Sequence, residues 1–106
     1  MKYKLKIQCI HGLDIGKKWN FELDENRKST IAIGRLLGTH IRLKDSRISR
    51  SHCLVQIQKQ KLVAIDLGSH HGTILNLKNI QSAKIYNGDQ LKIGDTILRI
   101  EYTTTN

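Results

Sequence analysis

Aromatic side chains are scarce in this chain: Tyr3, Trp19, Phe21, Tyr86 and Tyr102 are the full set. A surface on which the bases of a single strand could stack is therefore poorly supplied. No apolar run approaches the roughly 20 residues that span a bilayer, so no membrane insertion is expected. The opening Met1-Lys2-Tyr3-Lys4-Leu5-Lys6 alternates charge with bulk and holds nothing like the apolar region of a secretory signal. Cysteine is nearly absent too. Cys9 and Cys53 each lie in an apolar context and without CxxC spacing, which argues for reduced core or sheet thiols. A cytoplasmic location follows as an expectation, with no metal and no cofactor. Acids are the last shortage: nine Asp and Glu stand against eighteen Lys and Arg, a formal net charge of +9.

That surplus favours an anionic partner, and nucleic acid, a phosphorylated protein or a membrane surface would each satisfy it. The cations are spread along the chain instead of forming one basic block, which counts against a nucleic-acid tail. The chain has 106 residues, enough for one domain over 1–106 and too few for two. Its 39% hydrophobic and 25% charged content is that of a soluble globular protein. The ordered part is expected over about 3–102, with the last four residues frayed.

Apolar and polar residues alternate at Tyr3, Leu5, Ile7 and Cys9, and again at Trp19, Phe21 and Leu23, the period of half-buried strands. The pattern predicts strands over 3–10, 17–23, 30–33, 41–43, 53–58, 61–66, 74–75, 81–85, 90–93 and 96–102. Turns are expected at His11–Gly16, at Asp24-Glu25-Asn26-Arg27-Lys28, at Lys59-Gln60, over 77–80, at Asn87-Gly88-Asp89 and at Gly94-Asp95. No window carries a capped helical stripe. Short strands at this spacing indicate an all-β sandwich or barrel. In a sandwich, loops distant in sequence can meet at one end.

The richest polar stretch is Lys44-Asp45-Ser46-Arg47-Ile48-Ser49-Arg50-Ser51-His52. Its hydroxyls and guanidiniums can donate several hydrogen bonds to a phosphate or a carboxylate. Taken by itself it reads better as a solvated loop that bonds its own backbone. Two further loops supply matching chemistry, Gly34-Arg35 before it and Ser69-His70-His71-Gly72 after it.

In this order and spacing, Gly34-Arg35, Ile48-Ser49-Arg50-Ser51-His52 and Asp66-Leu67-Gly68-Ser69-His70-His71-Gly72-Thr73-Ile74-Leu75-Asn76 resemble the forkhead-associated (FHA) domain. The flanks agree, through Gly12 to Leu23 and the Asn87-Gly88-Asp89-Gln90-Leu91-Lys92-Ile93-Gly94 turn. The resemblance implies a single β-sandwich of about eleven short, mainly antiparallel strands, of the FHA/SMAD-like kind. It also implies a module that binds phosphothreonine peptides and so mediates phosphorylation-dependent protein–protein interaction, with no catalysis and no small-molecule substrate. By similarity, Arg35 and Ser49 are phosphate ligands and Arg50 reaches the bound phosphopeptide. His70 would lie beside the phosphate and the threonine methyl. Arg47 and His71 are expected at the peptide, and Gly34, His52, Gly72 and Asn76 as structural support.

Position 71 departs from the family, which usually has asparagine there. An amide donates and accepts at once, whereas imidazolium only donates. His71 is thus expected to alter peptide selectivity, while Arg35 and Ser49 preserve the phosphate grip. Other readings are a phosphate-independent interaction module, and a basic nucleic-acid-binding domain using Arg42, Lys44, Arg47 and Arg50. For Arg35, the competing expectation is an ion pair with Asp14 or Asp45. A nucleophilic set of Ser49 or Ser51 with His52 and Asp45 or Asp66 has no motif behind it.

Overall fold

Alternation along the sequence becomes two packed sheets. The computed structural model describes residues 1–105 and contains eleven strands, with no helix among the described residues. They are β1 Lys2–His11, β2 Lys18–Asp24, β3 Thr30–Gly34, β4 Ile41–Arg42, β5 Cys53–Gln58 and β6 Lys61–Asp66. Then follow β7 Thr73–Leu75, β8 Lys78–Ile80, β9 Ser82–Lys84, β10 Asp89–Ile93 and β11 Thr96–Thr105. One sheet has the order β2-β1-β11-β10-β7-β8 and the other β4-β3-β5-β6-β9. All pairings are antiparallel except β3 with β4.

Tyr3, Leu5, Ile7 and Cys9 face inward from β1 and lie opposite or beside Tyr102, Ile100 and Leu98 of β11. From the other sheet come Ile31 and Ile33 of β3, Val55 and Ile57 of β5, and Leu62 and Ala64 of β6. Between the inner faces these side chains are buried, and each buried Leu or Ile contributes about 1.5–3 kcal/mol. Ile41, Leu43 and Ile48 bring the polar-loop segment onto the same core, so that segment is anchored from below.

Three details differ from expectation. Residues 78–80 form β8 instead of a turn, because Asn76 and Leu77 take φ of 47° and 72° and reverse the chain within two residues. The strand expected over 81–85 is shortened to β9, although Ile85 remains buried and donates its N–H to Leu62 O at 2.8 Å. At the C-terminal end, Thr103, Thr104 and Thr105 are not frayed but pair with Lys4, Tyr3 and Lys2. Asn106 lies outside the described residues. Among the described residues no helix is long and apolar enough to cross a membrane.

Candidate functional site

Sheet register brings three connections to one edge. Ile33 pairs with Cys53, and Cys53 with Asp66, so β3 ends, β5 begins and β6 ends at one level of the sheet. Segments 35–40, 43–52 and 67–72 therefore leave from the same end of the sandwich.

The first two segments touch because residue 34 has no side chain. A Cβ on Gly34 would sit 2.1 Å from the Arg50 carbonyl oxygen, far inside contact distance. With glycine there, Arg35 N–H donates to Ser49 O at 3.2 Å and Leu36 N–H to Arg50 O at 3.1 Å. The Arg35 Nε–H donates to the Ile48 carbonyl. That bond aims the guanidinium along the Ser49 segment, and among the described residues its two Nη groups have no partner. Neither acid that might have neutralised Arg35 does so. Asp14 holds the Lys17 ammonium at 2.9 Å and the Lys44 N–H at 2.9 Å. Asp45 accepts from Arg47 N–H, Asp95 N–H and the Thr96 hydroxyl. Burial alone would raise the Asp45 carboxyl, but these bonds outweigh it and hold the group below the ordinary carboxylate range.

His52 joins the second segment to the third. It is fully buried, and its Nδ1 faces the Ser49 N–H at 3.0 Å, so that nitrogen must accept. The ring proton then sits on Nε2 and is donated to Gly72 O at 2.8 Å. Gly72 has φ of 83°, a backbone conformation that side chains disfavour. Ser49 makes a second link: its Oγ accepts the His70 N–H at 3.0 Å. The hydroxyl proton of Ser49 has no acceptor among the described residues, and it remains available for donation.

Asp66 gives the third segment its shape. Oδ2 accepts from Gly68 N–H and Ser69 N–H at 3.0 and 3.1 Å. Oδ1 accepts the hydroxyls of Ser69 and Thr73, each at 2.6 Å. Burial pushes this carboxyl up, and the four bonds overcome it and leave the group lowered. The scaffolding role of Asp66 has a sequence signal of its own, since an Asp followed at the second and third positions by Gly and Ser is a recognisable side-chain turn.

His70 and His71 are exposed on this frame, with ring centroids 4.6 Å apart and planes at 82°. Arg50 is exposed, and its carbonyl accepts the Leu36 N–H. Arg47 is exposed as well, but its guanidinium lies 3.5 Å from Asp95, towards the turn between β10 and β11. Asn76 stands at the far end of β7 from Gly72. Its Oδ1 accepts the Gln90 N–H at 2.9 Å, which ties the β7–β8 turn to β10 and not to the three segments. Two surface grooves, of about 690 and 340 Å³, are lined the one mainly by β1, β2 and β11 residues and the other by Ile74, Asn76, Leu77, Gln90, Lys92 and Ile97. Neither includes a residue of the three segments.

The nucleophilic reading has no geometry. Both His52 nitrogens are engaged by backbone groups, and Asp45 and Asp66 are bonded elsewhere. Burial, with the charge of Asp66 adding to it, pushes the Cys53 thiol up to about 12, so it is protonated at neutral pH.

Fold and loop geometry together define a β-sandwich whose three loops meet in one rim, tied by Arg35, Ser49 and His52. The FHA domain family model matches residues 31–94. The chain belongs to that family. It is 36% identical over 77 residues to an FHA domain-containing protein of Arabidopsis thaliana, covering 69% of this chain and 20% of that protein. It is 34% identical over 65 residues to the glycogen accumulation regulator GarA of Mycolicibacterium smegmatis, covering 61% and 41%. The chain thus spans less than half the length of either relative. Among solved structures, an FHA domain of an Arabidopsis thaliana hypothetical protein superposes with TM-score 0.83 at 29% identity, over 97% of this chain and 88% of that one. The FhaA FHA domain, solved in complex with an intracellular domain of another protein, gives TM-score 0.75 at 26% identity over 92% and 99%.

Proposed function

We propose that this chain is a phosphothreonine-peptide binding module that joins proteins in a phosphorylation-dependent manner. The observation that carries the reading is the meeting of Arg35 and Ser49. A guanidinium with unpartnered Nη groups is steered by a backbone carbonyl to the segment whose serine retains a free hydroxyl proton. A phosphothreonine brings close to two negative charges and three acceptor oxygens to such a pair. Membership of the FHA family supports the same reading. Arg35 and Ser49 hold the phosphate, Arg50 and His70 flank it, and His71 meets the peptide beyond it. Arg47, turned to Asp95, contacts the peptide only by leaving that partner. Gly34, His52 and Gly72 set the loop geometry, and Asn76 acts further away, through the β7–β8 turn.

The reading is of a binding module and not an enzyme, with residues 1–106 as one domain. The two buried free cysteines support a reducing, cytoplasmic compartment. The test is a set of binding isotherms with one peptide, phosphorylated on threonine or not, against wild type and Arg35→Ala. Charge-assisted hydrogen bonds contribute about 1.5–3 kcal/mol each, so Arg35→Ala is expected to weaken phosphopeptide binding at least about tenfold. A partner held equally by both proteins and both peptides would mark a phosphate-independent module.

A further inference from the structure

Arg42 is a cation that the phosphate grip leaves unused. It is the last residue of β4 and pairs with Gly34 across the parallel β3–β4 ladder. Its Nε–H donates to the backbone carbonyl of Arg35 at 3.0 Å. That bond fixes the direction of an exposed side chain that would otherwise sweep through solvent. Bond lengths then place its Nη groups within roughly 8 Å of the Arg35 Cα. Among the described residues those Nη groups have no partner. The acids of this end of the molecule are engaged elsewhere: Asp14 with Lys17 and Lys44, Asp45 with backbone and Thr96, Asp66 within its own loop and Asp95 with Arg47. Two guanidiniums therefore stand on one short stretch of backbone with no counter-charge between them. Held in this way, they repel each other unless an anion is present.

We propose that Arg42 forms a second anion subsite, which receives a phosphoryl or carboxylate group carried by the same phosphothreonine peptide. The proposal rests on the phosphothreonine reading of Arg35 and Ser49. An extended peptide advances about 3.3 Å per residue, and side chains two apart share a face. The second anionic group then lies two to four residues from the phosphothreonine. A planar fork with its Nε already spent presents two parallel Nη–H donors, a geometry matched to phosphate or carboxylate oxygens.

Three peptides test this at fixed ionic strength: one phosphothreonine alone, the same with glutamate at each position two to four residues away, and the same with a second phosphothreonine there. Arg42→Gln is the informative variant, because its amide nitrogen falls at the same number of bonds from Cα as Arg42 Nε. It can keep the bond to the Arg35 carbonyl while removing the charge and the free donors. Arg99→Gln, exposed on β11, controls for net charge alone. Wild type and Arg99→Gln are expected to bind the best doubly anionic peptide at least about tenfold more tightly than the single phosphopeptide, and Arg42→Gln to bring that ratio close to one. The glutamate and second-phosphate arms show which anion the subsite prefers. An unchanged ratio in Arg42→Gln, or an equal collapse in Arg99→Gln, overturns the subsite. Loss of phosphothreonine dependence in every protein, with the Arg42-dependent preference for acidic peptides intact, would sink the phosphothreonine reading and leave the subsite standing.

Discussion

The Oγ of Ser49 accepts the backbone N–H of His70 at 3.0 Å, across 21 residues of sequence. A serine oxygen with one lone pair committed in this way keeps its proton free for another partner, so the same bond that joins two loops leaves the hydroxyl as a donor. His52, immediately below, fixes the other side of Ser49 through its N–H. Site and scaffold thus share their hydrogen bonds, and changes to the scaffold should read out in binding.

Gly34→Ala is the plainest case. The added methyl group would lie 2.1 Å from the Arg50 carbonyl, a backbone atom that cannot simply rotate away. The 48–50 segment has to withdraw from Arg35, breaking the two backbone bonds between them. We expect a loss of about 2–4 kcal/mol in denaturant unfolding and a fall in phosphopeptide affinity of at least about tenfold. Unchanged affinity would mean that this contact does not set the position of Arg35.

Acid should destabilise the domain through Asp45 and Asp66. Both carboxyls are lowered in the folded state, burial being outweighed by hydrogen bonds. A carboxyl with a depressed folded pKa adds stability that is present above its unfolded value near about 4, and that is lost as pH falls through the folded value. Unfolding free energy measured from about pH 6 to about pH 2 should therefore decline on the acid side. The decline should be shallower in Asp66→Asn, which is also less stable at neutral pH because Ser69 and Thr73 lose an ionised acceptor. Parallel curves for the two proteins would remove Asp66 from this role.

His71 should set which peptides bind. An imidazole offers hydrogen bonds with a different reach from those of an amide. Across phosphothreonine peptides varied at the positions that follow the phosphate, His71→Asn should change the order of affinities while leaving the dependence on the phosphate intact. An unchanged order would remove residue 71 from the peptide contact.

Much of this was legible in the amino-acid string, for physical reasons. Tyr3, Leu5, Ile7 and Cys9 reveal β1 because the strand period sorts side chains directly into core and solvent. The polar loops stood out because Arg35, Ser49 and His70 are residue types that a core would reject. What stayed hidden depended on backbone conformation and on pairing across space. Leu77, with φ of 72° and almost fully exposed, has no turn signature, so the Asn76-Leu77 reversal and β8 after it could not be read from residue type. The link from Asp66 to Thr73 and the bond from Arg42 to the Arg35 carbonyl exist only once the strands are in register. Arg47 illustrates the converse: its sequence neighbours suggest the ligand, whereas its guanidinium is turned to Asp95.

The central claim is that Arg35 and Ser49 grip one phosphate together, and a double-mutant cycle measures it. Wild type, Arg35→Ala, Ser49→Ala and the double variant are titrated with a phosphothreonine peptide and its unphosphorylated form. The account predicts that each single change removes most of the discrimination between the two peptides, and that the double change removes little more, with a coupling of about 1 kcal/mol or greater. Retained discrimination in the double variant, or strictly additive losses, would contradict it.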